Sequence, residues 1–146
     1  MGNRAVITAS NAVNVAESND IGIYLHWNGG RDSVRGFLAY AKIKGFRVPE
    51  QDNYGWARLC QIIANCFDSG LSIGIDTCKH LDCDNWDNGV YIIKNWEIVG
   101  RKYFDGDEQD AYDLLDFVRS VDKSQPEAEQ LGPDEIEKRL KEFNLI

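Results

Sequence analysis

The chain has little of what many catalytic, metal and membrane proteins depend on. Its 146 residues include only two histidines, four cysteines and three prolines. No apolar stretch is long enough to cross a bilayer and no signal-peptide pattern opens the chain, so we expect no membrane contact. The formal net charge of −8 argues against broad nucleic-acid binding, so we expect no DNA partner.

Motifs for catalysis and cofactor binding are also missing. The chain has no G-x-G-x-x-G, no Walker A motif and no H-E-x-x-H, and neither histidine lies at a readable spacing from a Ser or Cys nucleophile. Cys78, His80 and Cys83 lack a paired Cys-x-x-Cys, so reduced thiols are a better interpretation than zinc. We therefore expect a binding protein without a catalytic residue, a metal or a cofactor.

The charge that is present is unevenly placed. Residues 105–146 contain 13 acidic and 5 basic side chains, whereas residues 1–104 contain 11 of each. The neutral part, 1–104, is predicted to be an α+β core that can hold a locally basic pocket. The acidic part, 105–146, is predicted to be a helical C-terminal segment that docks on its own domain or serves oligomerisation.

Apolar periodicity predicts the fold class. Alternation predicts five strands, at residues 5–9, 21–27, 71–76, 90–94 and 97–103. Helical spacing predicts two helices between the second and third strands and two more near the C-terminus, the third beginning near Ala111 and the last at Pro133. Because the helices are grouped between strands, we expect an α+β fold with a mainly antiparallel sheet.

The stretch Asn28-Gly29-Gly30-Arg31 stands where the second strand gives way to the first helix. Its main interpretation is a turn, with Asp32 or Ser33 as the helix N-cap. Glycines before a helix also occur where backbone N–H groups meet an anion. Arg31 is a candidate phosphate ligand because a guanidinium suits phosphate geometry.

The loop over residues 82–89 is dense in carboxylate and amide side chains, and three interpretations stay open. Its Asp and Asn residues can cap the loop's own backbone. Calcium is a second interpretation, although Trp86 stands where the EF-hand order needs Asp or Asn. In the third, the polar side chains recognise a base edge or ribose hydroxyls while Trp86 offers a stacking face.

Four motifs stand out within residues 4–104. They are Tyr24-Leu25-His26-Trp27-Asn28-Gly29-Gly30, Tyr54-Gly55-Trp56-Ala57-Arg58, Leu71-Ser72-Ile73-Gly74 and Asp82-x-Asp84-Asn85-x-Asp87-Asn88-Gly89-x-Tyr91. Together they resemble the first type of Thoeris anti-defence proteins of phages. The resemblance implies a non-enzymatic sponge that sequesters a cyclic ADP-ribose isomer, made by the host's TIR-domain defence enzyme, in the host bacterial cytoplasm.

The same resemblance implies a homo-oligomer built of dimers, with a hexamer as one candidate and ligand at the protomer interfaces. Some members of that family also bind cyclic di- or trinucleotides at a separate site. The implied ligand contacts are arginines, an aromatic ring and Asn or Asp side chains. The matching candidates here are Arg31, Arg101, Asn85, Asp87 and Asn88, together with His26, Trp27 and Arg58.

The stacking aromatic implied by the resemblance stays open. Trp27, Trp56, Phe67 and Trp86 all compete for that role. The resemblance also implies a glycine where this chain has Trp86, which bears on the shape of the loop.

Two other classes of function are kept as alternatives. One is a metal-dependent nucleotide hydrolase in which Asp76, His80, Asp82 and Asp84 hold an ion that activates water. The other is a protein-interaction module without a small ligand, which docks through the C-terminal helix.

Overall fold

The computed structural model describes residues 2–67 and 72–146. Its five strands are β1 Ala5–Thr8, β2 Ile21–Leu25, β3 Ile73–Thr77, β4 Val90–Lys94 and β5 Glu97–Lys102. Its four α-helices are α1 Arg31–Ile43, α2 Asn53–Ala64, α3 Leu114–Ser124 and α4 Pro133–Glu142. None of these helices is long and apolar enough to cross a membrane.

The strands form one sheet in the order β3-β2-β1-β4-β5. Within the described residues the pair β1 and β4 is the only parallel one, and the other three pairs are antiparallel. The α+β fold with a mainly antiparallel sheet is therefore confirmed. The second strand ends at Leu25, two residues earlier than predicted, and Leu71, the predicted start of the third strand, lies outside the described residues.

The hairpin between β4 and β5 follows its local sequence. Asn95 and Trp96 form the predicted turn, and both have positive φ, at 54° and 62°. Such a turn matches the right-handed twist of the two strands. Trp96 is buried, and its indole N–H donates to the carbonyl of Phe46 at 2.9 Å, so the turn also ties the hairpin to the end of α1.

Helix α1 is the central element of the helical layer. Phe37 and Tyr40 on this helix are fully buried, and Gly36 lets the ring of Phe117 from α3 approach its backbone. A Cβ atom at Gly36 would lie 2.2 Å from that ring. The glycine that weakens α1 by propensity therefore serves the packing of α3 on α1.

The acidic C-terminal segment packs on its own chain. Val118 and Val121 of α3 and Ile136 and Leu140 of α4 are buried in the same core as the sheet and α1. Between the two helices the buried carboxylate of Asp122 accepts hydrogen bonds from the Tyr40 hydroxyl and from two backbone amides at 131–132. The sequence left open whether this segment docks on its own domain or serves oligomerisation, and in the structure it docks on its own domain.

The helix starts differ from the predictions. Gly30 is the N-cap of α1, with no side-chain bond, so neither Asp32 nor Ser33 caps this helix. Asp32 is instead inside the first turn and binds residues far along the chain. Helix α3 begins at Leu114 and not near Ala111, because the side chain of Asp113 accepts from the backbone N–H of Asp116 and fixes the start.

Candidate functional site

Two clefts share two arginines from the first turns of α1. One has a volume of about 220 Å³ and the other about 310 Å³, and both are lined by Arg31 and Arg35. The two residues are four apart in a helix, so they share one face. The larger cleft is completed by Asp32, residues 108–110, Tyr112 and Leu114, and Tyr112 is its exposed aromatic ring.

Arg101 reaches the same region from β5. Its guanidinium lies between the rings of Tyr91 and Phe104, 3.9 and 4.0 Å from their centres. Its Nη2 donates to the carbonyl of Asn88 at 2.6 Å, and its side chain is only 14% exposed. Its buried Nε has no hydrogen-bond partner among the described residues.

Glu108 connects the two arginines that were predicted as ligand contacts. Its carboxylate pairs with Nη1 of Arg101 through both oxygens and lies 3.6 Å from Nη1 of Arg31. The structure therefore brings Arg31 and Arg101 to one place, but it neutralises them with an acidic side chain of the same chain.

Glu108 belongs to an exposed segment without helix or strand, residues 105–112, which we call the strap. The strap crosses the start of α1. The carbonyl of Gln109 accepts from the N–H of Asp32 at 3.3 Å, and the Asp32 carboxylate accepts from the N–H groups of Ala111 and Tyr112 at 2.7 and 3.2 Å. Asp32, which the sequence predicted as the helix N-cap, therefore holds the strap.

The turn before α1 is closely packed. Asn28 has a φ of 58°, and the N–H of Gly29 donates to the carbonyl of Asn3 at 2.8 Å. A Cβ atom at Gly29 would lie 2.3 Å from that carbonyl oxygen. The Tyr91 hydroxyl donates to the Gly29 carbonyl at 2.7 Å. The glycine is needed for this close approach, as the turn interpretation expects.

The loop over residues 82–89 uses its polar side chains internally. Asn85 is fully buried, its amide donates to the carbonyls of Asp82 and Gly89, and its oxygen accepts from the N–H groups of Asp87 and Gly89. Asn88 is also buried, and its amide donates to Asn3 and to the carbonyl of Arg4. Of the three interpretations, the structure supports backbone capping.

Asp87 has an internal partner too. Its carboxylate accepts from Nε of Arg4 at 2.7 Å and from the Arg4 N–H at 3.0 Å. The hydrogen bond from the Arg4 side chain holds the pKa of Asp87 below its ordinary value. Trp86, between these anchored residues, is 90% exposed and has a φ of 66°, a conformation that favours the glycine implied at this position.

The remaining candidates lie outside the two clefts that Arg31 lines. His26 Nδ1 is 2.9 Å from the Tyr24 hydroxyl, and its ring meets Trp27 edge-on. Arg58, on α2, lies over the ring of Phe46 in a separate groove of about 370 Å³ that also includes Arg47. The structure therefore divides the eight candidates among several places.

The described part of the chain does not bring together the ligands that a metal site would need. Within residues 2–67 and 72–146 no group of three or more His, Cys, Asp or Glu side chains could hold a metal ion. The ligands considered for a hydrolase, Asp76, His80, Asp82 and Asp84, are therefore not gathered into such a group. All four cysteines are free, and burial raises the pKa of Cys66 and of Cys83 to about 11.

No protein-family model, curated protein or solved structure matches the chain. The function is therefore argued from the geometry of the site and the motifs of the sequence.

Sequence reasoning predicted only Arg31 among the residues that line the larger cleft, and it missed Arg35, Glu108 and Tyr112, on which the proposed chemistry depends. Arg35 could have been found, because its spacing of four from Arg31 puts both on one helix face. Tyr112 and Glu108 carried no comparable signal. Only the folded chain shows that residues 108–112 return to the start of α1 across more than 70 positions of sequence.

Proposed function

We propose that this protein is a phage anti-defence protein that sequesters a cyclic ADP-ribose-type immune signal in the cytoplasm of the host bacterium, without cleaving it. The observation that carries the proposal is the pair of guanidinium groups of Arg31 and Arg35 that two clefts share. The ligand class comes from the resemblance of the sequence motifs to the first type of Thoeris anti-defence proteins.

The chemistry of the larger cleft suits a nucleotide. Guanidinium groups bind phosphate oxygens through paired, charge-assisted hydrogen bonds, so Arg31 and Arg35 would hold the pyrophosphate. Tyr112 is about half exposed in the same cleft and packs against Phe117 with ring centres 5.1 Å apart. Its ring, steadied by that contact, offers a surface on which a base can stack.

A single protomer gives such a ligand little cover. Pockets that enclose small ligands have volumes of roughly 300–1,000 Å³, and the two clefts lie at or below the lower end of that range. A second copy placed over the clefts would bury the rest of the nucleotide. We therefore propose that the binding form is a homo-oligomer built of dimers.

The groove on α2 is the place proposed for a second ligand class, cyclic di- or trinucleotides. The guanidinium of Arg58 lies 5.4 Å from the centre of the Phe46 ring, and that of Arg47 lies 5.6 Å from the centre of the Tyr54 ring. Tyr54 is 63% exposed. Two cations beside aromatic faces suit phosphates and stacked bases together.

The test is to incubate the protein with cyclic ADP-ribose, separate the complex, denature it by heat and analyse the released nucleotide by chromatography. A sponge returns the nucleotide intact and in proportion to the binding sites. Recovery of a cleaved product would instead support the hydrolase alternative. If cyclic mono-, di- and trinucleotides all leave the thermal midpoint unchanged, the proposal is wrong and the interaction module is favoured.

A further inference from the structure

We propose that the Glu108 carboxylate is an internal competitor of the ligand's phosphate, carried on the part of the strap before Ala111, residues 105–110, which opens when the ligand binds while Ala111 and Tyr112 stay bound to Asp32. The carboxylate pairs with Arg101 and lies 3.6 Å from Nη1 of Arg31. It therefore occupies the place between two guanidinium groups at which a phosphate would gain the strongest electrostatic attraction. The inference rests on the proposed nucleotide site and adds a mechanism that regulates access to it.

The guanidinium groups around Glu108 can bind more negative charge than its single carboxylate supplies. Two guanidinium groups face a single charge there, and the buried Nε of Arg101 has no hydrogen-bond partner among the described residues. The rings of Tyr91 and Phe104 hold the Arg101 guanidinium in position whether or not Glu108 is present. A pyrophosphate, with more charge and more acceptor oxygens, would match this arrangement better than a carboxylate does.

The closed strap also gives the larger cleft an unfavourable charge for a nucleotide. Arg31 and Arg35 line it together with three carboxylates, those of Asp32, Glu108 and Asp110. Glu108 is itself paired with Arg101, so the three carboxylates offset the charge of three guanidinium groups, and a phosphate entering the closed cleft meets no net attraction. Removing the Glu108 side chain alone leaves one guanidinium charge in excess and frees Arg31 at the same time.

The strap is held by contacts that can be broken individually. Its residues 105–112 are all exposed, and Glu108 itself is 35% exposed. Its residues 105–110 are attached through polar bonds: the ion pair of Glu108 with Arg101, the bond from the Asp32 N–H to the Gln109 carbonyl, and the bonds of the Gln109 side chain with Asn3 and Asn88. Exposed segments held by a few polar bonds open at low free energy, well before the core unfolds.

The first experiment titrates inorganic pyrophosphate, by calorimetry, into the wild-type chain, Glu108→Gln and the matched control Asp107→Asn. We expect Glu108→Gln to bind pyrophosphate about tenfold more tightly than the wild type, a typical size for coupling between competing groups. Asp107→Asn removes the same charge from the strap, but Asp107 has no ion pair with Arg31 or Arg101 among the described residues. Its affinity should change by less than about twofold because exposed charges are screened.

The second experiment needs no variant and stays informative if Glu108→Gln folds poorly. Hydrogen exchange of the wild-type chain is followed residue by residue with and without pyrophosphate. Opening of residues 105–110 releases the N–H group of Asp32 from the carbonyl of Gln109, so this amide should exchange faster when pyrophosphate binds. Unchanged exchange at the Asp32 amide overturns the opening, and equal pyrophosphate affinities of wild type and Glu108→Gln overturn the competition.

A parallel titration with cyclic ADP-ribose separates this inference from the proposed function. If Glu108→Gln gains affinity for pyrophosphate but neither chain binds cyclic ADP-ribose, the competitor is supported and the proposed function is wrong. If cyclic ADP-ribose binds both chains equally and the strap stays closed, the proposed function is supported and the competitor is wrong.

Discussion

The larger cleft at α1 and the loop over residues 82–89 are both rich in polar side chains, but they use them in opposite ways. In the loop, Asn85 and Asn88 are buried and bind the backbone around them. At the cleft, Arg31 is 39% exposed, its ion pair with Glu108 is long, and Arg35 is exposed. The side-chain amides of both asparagines already donate two hydrogen bonds within the chain, whereas the cleft keeps guanidinium donors that a ligand can reach.

The difference shows that residue type alone does not separate a binding site from a structural one. A turn without regular hydrogen bonds must satisfy its own N–H and C=O groups, and buried Asn side chains serve this purpose well. Long cationic side chains on a helix face are not needed to satisfy backbone groups, because the helix does so itself. The comparison therefore predicts that loop substitutions reduce stability, whereas cleft substitutions reduce affinity.

The largest expected effect is the loss of Asn85. The Asn85→Ala variant leaves the N–H groups of Asp87 and Gly89 and the carbonyl of Asp82 without the partner that Asn85 provides. We expect the free energy of unfolding to fall by about 3 kcal/mol, as for several buried groups left unsatisfied. Urea denaturation measures this loss. Asn11→Ala, at an exposed position, is the control and should change stability by less than about 0.5 kcal/mol.

The second prediction concerns the cleft itself. In the double variant Arg31→Ala/Arg35→Ala, we expect the affinity for the nucleotide to fall about thirtyfold, equivalent to about 2 kcal/mol of charge-assisted hydrogen bonding. The thermal midpoint should change little because both side chains are partly exposed. The matched control is Arg47→Ala, in the groove on α2. An equal loss of affinity in that control would show that the nucleotide does not bind at α1.

The sequence was informative where local patterns decide the structure. The hairpin turn at Asn95 and Trp96 and the alternation of the strands follow from residue spacing, so the fold class and the five strands were predicted correctly. The N-cap of α1 was predicted wrongly at Asp32 or Ser33. Asp32 has a cap residue's chemistry, but residues from the distant strap compete for its carboxylate.

The candidate site was less predictable for the same reason. Arg101 belongs to a regular strand, and nothing in its neighbours on the chain indicates that two aromatic rings and Glu108 enclose it. Phe104 and Glu108 follow Arg101 closely in sequence, but they lie beyond the end of β5 in a segment without helix or strand, so strand periodicity does not place them beside the guanidinium. The helical spacing of Arg31 and Arg35 is local, and that part of the cleft could have been predicted.

A third prediction tests the strain in the loop. Trp86 has a φ of 66°, which is an unfavourable backbone conformation for a residue with a side chain. The side chain is 90% exposed, so it gains little stabilisation from packing. We expect Trp86→Gly to raise the free energy of unfolding by about 1 kcal/mol, since an L side chain pays roughly that cost in this conformation. Urea denaturation at neutral pH measures it. Trp86→Ala keeps the strain and should show no such gain.

The smallest effect concerns the pH dependence of the Arg4–Asp87 pair. The Arg4 hydrogen bond lowers the pKa of Asp87 in the folded chain, so the pair stabilises the fold above the ordinary carboxyl value of 3.8. This contribution is lost as the pH falls through the lowered folded pKa. Asp87→Asn should therefore be less stable than the wild type at pH 7, with a difference that shrinks towards pH 2. Urea midpoints at several pH values measure it, and a difference independent of pH would show that the charge of Asp87 contributes nothing. Arg4→Met should flatten the same part of the curve because it removes the donor that lowers the pKa.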